Sequence, residues 1–169
     1  MSYYTINEDA ARLSKELSSF SDYKAGSATA SYRAQVDEAA ATLDKVKALC
    51  VTEAQRDRAE YLFDRYAATL AQAINRDNEI GTRCPSVMIS GPANFPTRKK
   101  EKQLAAWAAN AENYEKAEHY LYLLEHAHQQ PIKSNDPEVL EALTAKLNAL
   151  QAMQEHMKQG NAYYRKNKT

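Results

Sequence analysis

Apolar residues recur along this chain at spacings of three and four, the rhythm of helices that each turn one face to a core. Ile6, Ala10, Leu13, Leu17 and Phe20 form the first series. With Thr5-x-x-Glu8 as a capping box, they predict a short helix ending near Ser19. Ser21 to Gly26 supplies turn residues, and a second helix is expected over about 27–49. Its stripe of Tyr32, Val36, Ala39, Leu43, Val46 and Cys50 keeps an a/d spacing with charges on the other faces. A second capping box, Thr52-x-x-Gln55, opens a third helix running to about Asn78. Its apolar face is Ala59, Leu62, Phe63, Tyr66, Leu70, Ala73 and Ile74, with Asn78 and Gly81 as stop signals.

Behind Pro96, Thr97 is expected to cap a long fourth helix. Leu104, Trp107, Ala111, Tyr114, Leu121 and Leu124 lie along one side, and Gln129-Gln130-Pro131 closes it. Asp136-Pro137-Glu138 joins an N-cap, a first-turn proline and an acid, a strong helix start. The fifth helix it opens carries Leu140, Leu143, Leu147, Leu150, Met153 and Met157 and should stop at Gly160. Val87-Met88-Ile89 is too short to build a sheet and reads as an extended plug packed on the helices.

The expected fold class is therefore all-α: about five helices in a bundle or helical hairpins, with a long ordered central loop over about 80–97. Residues 1–160 read as one helical domain and 161–169 as a basic tail. Sustained a/d spacing also permits a homodimer through an exposed seam.

The central segment from Arg83 to Gln103 interrupts this pattern. It holds three of the five prolines and one of the four glycines. A loop this long inside a helical protein is uncommon and usually functional. At 169 residues the chain is long enough for one real core, and its 22 basic and 22 acidic groups cancel. The cancellation is global only. Residues 83–102 carry five basic groups and one acidic, while 103–160 carry four and eight.

Two cysteines are too few for a disulfide scaffold and lack metal-ligand spacing, so reduced thiols are expected, with Cys50 a small core residue. No apolar run approaches the roughly 20 residues of a membrane span. The start of the chain does not read as a signal peptide, which points to a cytoplasmic protein.

No phosphate loop, nucleophile elbow, His-Glu-x-x-His or Cys-x-x-Cys occurs. Di-iron bundles use Glu-x-x-His. Here Glu115 precedes His119 by four, and Glu125 and Glu155 abut His126 and His156. Glu115, His119 and His126 share one side of the fourth helix, as any exposed polar face would. The expectation is a non-enzyme with no catalytic residue, metal or cofactor.

The basic cluster is the better signal. Arg98, Lys99, Lys100 and Lys102 occupy the first turns of a helix, where the macrodipole disfavours cations by a few tenths of a kcal/mol each. A chain selected only for folding would place acids there, as it does before the fifth helix. The backbone N–H groups of that terminus add to the positive potential, so phosphate is a natural ligand. A solvated charged face is the plainer alternative. Arg83, Asn94 and Phe95 lie close by in sequence. Phe95, between two prolines, could stack on a base or fill a partner's pocket, or anchor its own loop. Tyr3, Tyr4, Tyr23, Tyr163 and Tyr164 fall in turns or tails and would suit a protein interface or cap helix seams.

Four segments carry a resemblance. They are Phe20-Ser21-Asp22-Tyr23-Lys24, Gly26-Ser27-Ala28-Thr29-Ala30-x-Tyr32-Arg33, Cys84-Pro85-Ser86-Val87-Met88-Ile89, and Gly91-Pro92-Ala93-Asn94-Phe95-Pro96-x-Arg98-Lys99-Lys100-Glu101-Lys102-Gln103. Together they resemble small cytosolic accessory proteins of bacterial mobile genetic elements: conjugative elements, plasmids and phages. The resemblance covers roughly residues 1–105, and its last segment is the most specific. It implies an anti-defence role, as in the anti-CRISPR proteins that inhibit Cas9, some of which also bind DNA. The partner would then be a Cas9–guide RNA complex and/or nucleic acid. An accessory DNA- or RNA-binding protein, or a helical homo-oligomeric scaffold, are the alternatives. No catalytic residues carry over from the family.

Overall fold

The computed structural model describes residues 3–131 and 139–166. Its helices are α1 (Glu8–Ser18), α2 (Ser27–Leu49), α3 (Glu53–Gly81), the single turn α4 (Val87–Ser90), α5 (Thr97–Glu125) and α6 (Val139–Lys166). A 3-10 turn, Ala127–Gln129, follows α5. The described residues include no strand, so the chain is all-α as its periodicity indicates. No helix among them is long and apolar enough to cross a membrane.

Helix α3 is the centre. It packs against α1, α2 and α5, and α2 also touches α5. Every residue of the α2 stripe, from Tyr32 to Cys50, is buried. These side chains meet Ala59, Leu62, Tyr66, Ala67, Leu70 and Ala71 of α3, with Ala117 and Leu124 of α5 closing the third side. The capping box at Thr52 forms as expected. The Thr52 hydroxyl accepts from the Gln55 amide N–H, and the Gln55 side chain accepts from the Thr52 N–H.

Helix α1 starts later than its capping signal implies. Asn7, not Thr5, is the N-cap, accepting from the Ala10 N–H at 3.0 Å. Glu8 is drawn away from Thr5 by a stronger set of donors. Its carboxylate accepts from the Tyr23 hydroxyl, the Thr29 hydroxyl, and the Gly26 and Thr29 backbone N–H groups. Gly26, in the left-handed region at φ 78°, has no side chain to cap α2, so Glu8 caps it from α1. These hydrogen bonds, Thr29 first and Tyr23 next, hold the Glu8 carboxyl below its ordinary value.

The buried side of α1 follows its apolar stripe only in part. Ile6 is buried and Ala10 and Leu17 are half-buried, but Leu13 and Phe20 are exposed, and Ala11, off the stripe, is buried. Close approach decides this orientation. A Cβ on Gly81 would lie 1.9 Å from the Ser14 Oγ, so Gly81 lets α1 cross the end of α3. Gly81 is thus a contact residue at the last turn of a helix that runs past Asn78, and Thr82 is its cap.

Helix α6 makes no packing contact with the other elements among the described residues. It continues through Gly160, which does not stop it, and takes in most of the expected tail. One interior glycine costs about 1 kcal/mol against alanine and does not by itself end a helix. The Asp136-Pro137-Glu138 start signal lies outside the described residues.

Candidate functional site: the basic start of α5

The start of α5 is built by carboxamides. Along α5 the fully buried positions are Gln103, Asn110, Ala117 and Leu124, seven apart. Of the predicted face, Leu124 is buried and Trp107, Tyr114 and Leu121 are half-buried, but Leu104 and Ala111 are exposed, and Gln103 and Asn110 take the inner positions at the start of the helix. The reason is that α3 offers α5 backbone carbonyls as well as side chains. The Gln103 Nε2 donates to the carbonyls of Ile80 (2.8 Å), Cys84 (3.2 Å) and Gly81 (3.3 Å). Its one amide thereby satisfies acceptors left over where α3 ends. Asn110 Nδ2 donates to the Ala73 carbonyl at 2.9 Å, and Asn113 donates to Asn110. At the other end of the pair, Gln55 Nε2 donates to the carbonyls of His128 and Gln130.

Between these clamps burial raises the Asp77 carboxyl, opposed by Asn110. Burial, with Asp77 nearby, pushes the Tyr114 hydroxyl up to about 12. The α3–α5 seam is therefore polar yet largely satisfied.

The connection from α3 to α5 is pinned to this frame. Cys84 is buried, and the Ser86 N–H donates to the Leu17 carbonyl of α1 at 2.7 Å. Val87-Met88-Ile89 is a helical turn, not an extended plug, and Val87 and Met88 are exposed. Proline at 85 and glycine at 91 bound a stretch just long enough for one turn, and Gly91 N–H closes it on the Val87 carbonyl. Gly91 sits at φ 75°, ψ 166°, a region open to glycine almost alone. Asn94 follows in the left-handed region at φ 56°, and Phe95 is half-buried. Pro96 is the N-cap of α5 and Thr97 its first residue, with no side-chain cap. The connection, interrupted by the α4 turn, thus covers 82–96 and starts after the expected position 80, because α3 runs on to Gly81.

The seven predicted site residues separate by what they already do. Lys100 is engaged: its Nζ donates to the Gln103 Oε1 at 2.8 Å and lies 5.1 Å from the Trp107 ring centroid. Arg98, Lys99 and Lys102 are exposed and form no ion pair among the described residues. Spaced i, i+1 and i+4, they fall on one side of α5, whose first turn contains no acid. Arg83 is exposed one residue before Cys84, whose carbonyl Gln103 holds, so it sits at the same end of the α3–α5 pair. Asn94 and Phe95 belong to the same connection.

The chain matches no family model, no curated protein and no solved structure. The site must therefore be read from its own chemistry. Tyr23, Gly26, Thr29, Tyr32, Cys84, Gly91, Lys100 and Gln103, from the four resemblance segments, all serve the fold. Tyr32 is fully buried and donates to the Ala67 carbonyl. Sequence reasoning missed Gln103 and Asn110 because a carboxamide in a helix carries no apolar signal. The seven-residue spacing to Ala117 and Leu124 was the available clue.

Elsewhere a concavity of about 580 Å3 lies between α3 and α5. Its lining includes Asn75, Arg76, Glu79 and Asn113 but no hydroxyl, thiol or imidazole. No three metal-ligating side chains gather among the described residues. Cys50 and Cys84 are free and buried, and burial raises the Cys50 thiol.

Proposed function

We propose that this protein is a non-enzymatic anti-defence protein of a mobile element that inhibits a CRISPR-Cas nuclease, Cas9, by binding the nuclease and/or its nucleic acid through the start of α5. The observation that carries the reading is the trio Arg98, Lys99 and Lys102, without an ion pair among the described residues, at a helix whose first turn holds no acid. Like charges on one helix side, at the wrong end of the dipole, cost stability that an anionic partner would recover. Backbone N–H groups at the same terminus add donors for phosphate. Arg83, Asn94 and Phe95 extend the surface. The resemblance described above supplies the anti-defence setting and the choice of Cas9. A protein with balanced charge is a poor copy of a DNA duplex, which favours occlusion of DNA loading or activation over mimicry.

The test is plasmid cleavage by a Cas9–guide complex with increasing amounts of this protein, added before or after the complex forms. Dose-dependent loss of cleavage is expected, together with recovery of cleavage when Arg98, Lys99 and Lys102 are changed to Glu. Lys100 is left in place because it braces Gln103. Inhibition that survives the triple reversal removes the basic surface from the mechanism. No inhibition in excess removes the nuclease and leaves the accessory DNA- or RNA-binding reading. That reading predicts a free affinity whose log-log salt slope is roughly one unit per phosphate contacted.

A further inference from the structure

Helix α6 spans 28 residues, about 42 Å at the usual rise. Its large apolar side chains stand in water. Leu140 is 78% exposed, Leu143, Leu147, Leu150, Met153 and Met157 are 50–58% exposed, and Tyr164 is 74% exposed. Ala142, off this stripe, is its buried residue. A helix with such a stripe gains its stability from whatever covers the stripe. The residues between the apolar ones say what that is.

With Leu140 at heptad position a, the a positions are Leu140, Leu147, Gln154 and Asn161, and the d positions are Leu143, Leu150, Met157 and Tyr164. No charge enters the seam over four heptads. If two copies align in parallel and in register, Lys146 faces the partner's Gln151, Met153 faces the partner's Lys158, and Gly160 faces the partner's Arg165. No like charges meet. The two amides choose the direction. In parallel, Gln154 and Asn161 each meet their own copy and can exchange hydrogen bonds across the axis. An antiparallel pairing that superposes the stripes sets Gln154 against the partner's Leu150 and Asn161 against the partner's Leu143, leaving both amides buried without partners. An amide at position a is a known device for fixing register and strand number. At about 100 Å2 exposed per side chain, the six large a and d residues would bury on the order of 1,200 Å2 in all, the size of a small specific interface.

We propose that α6 is a homodimerisation helix, and that two copies of this chain join through it as a parallel, in-register coiled coil. The seam is independent of the cations at the start of α5, so either reading can fail without the other.

Sedimentation equilibrium of the full chain tests it. The expected mass is twice 19.0 kDa at micromolar concentration. The double variant Leu147→Lys, Leu150→Lys should run as a monomer and keep the near-ultraviolet signal of Trp107, which reports the packing of α5. Gln154→Cys should give a disulfide-linked dimer on oxidation, since Cys50 and Cys84 are buried and do not compete. A wild-type chain that stays monomeric at 100 µM overturns the proposal and gives the stripe to another partner. A dimer that survives the double lysine variant overturns it too, and a dimer without the 154–154 cross-link overturns the parallel register.

Discussion

Helices α2 and α6 carry the same kind of a/d stripe, and the fold treats them in opposite ways. On α2, Tyr32, Val36, Ala39, Leu43, Val46 and Cys50 are all buried against α3 and α5. On α6, Leu140 to Met157 remain at least half exposed. The difference shows that a stripe states how a helix must be covered, not by what. Helix α2 finds its cover a few residues away, because the short turn at Thr52 returns the chain along it as α3. Helix α6 finds none among the described residues of its own chain, and its amides at a positions fit a second copy.

The largest contrast should come from the same substitution at one site in each stripe. Leu43→Ala removes a buried side chain and should cost about 2–5 kcal/mol of unfolding free energy. Leu147→Ala should leave the melting of α1–α5 within about 0.5 kcal/mol while weakening self-association. Thermal unfolding at submicromolar concentration separates the two effects. Equal losses at the two sites would mean that α6 is folded against the body.

A smaller contrast tests the carboxamides. Gln103→Ala strips the donor from the Ile80, Gly81 and Cys84 carbonyls and should cost about 1–3 kcal/mol. Gln151→Ala, exposed on α6, should cost almost nothing in the same denaturant titration. If Gln103→Ala is silent, the clamp at the start of α5 is decorative.

The smallest effect is in pH. The Glu8 carboxyl is held below its ordinary 4.5 in the folded state. Its contribution is therefore complete above that value and is lost as pH falls through the lower folded value. Glu8→Gln should lower stability at pH 7 by about 1 kcal/mol and flatten the decline below pH 4.5. On α6, Glu155 meets Lys158 at 3.8 Å with both side chains more than 60% exposed. Glu155→Gln should therefore track the wild type, since exposed pairs contribute little. Coincident curves for Glu8→Gln and wild type would remove the cross-helix cap.

Helix α2 was legible to the residue, because its stripe and its a/d spacing agree with burial. Helix α5 was legible in extent and in its later half, where Tyr114, Leu121 and Leu124 face the core, but not at its start. Its inner line begins with Gln103 and Asn110, whose partners are main-chain carbonyls of α3, and no side-chain pattern advertises a carbonyl. The start of α1 was misread for a related reason. The Glu8 carboxylate could reach Thr5 or the α2 N-terminus, and only the fold shows that four donors wait at the second place. The cationic run was visible at once, but not that Lys100 is held by Gln103 and Trp107 while Arg98, Lys99 and Lys102 form no ion pair among the described residues.

By itself the sequence determined the helical class, the extent of α2, the capped start of α3, the all-buried stripe of α2 and the position of the basic run. These follow from local periodicity, capping and charge, which act over a few residues. The tertiary structure decided which face of α1 is inside, which cations are already engaged, and that α6 leaves its stripe open. Those outcomes depend on long-range encounters: a glycine meeting a serine at the α1–α3 crossing, a carboxamide meeting three carbonyls, an apolar stripe left uncovered by the other described helices. No window of local sequence contains both partners of such an encounter.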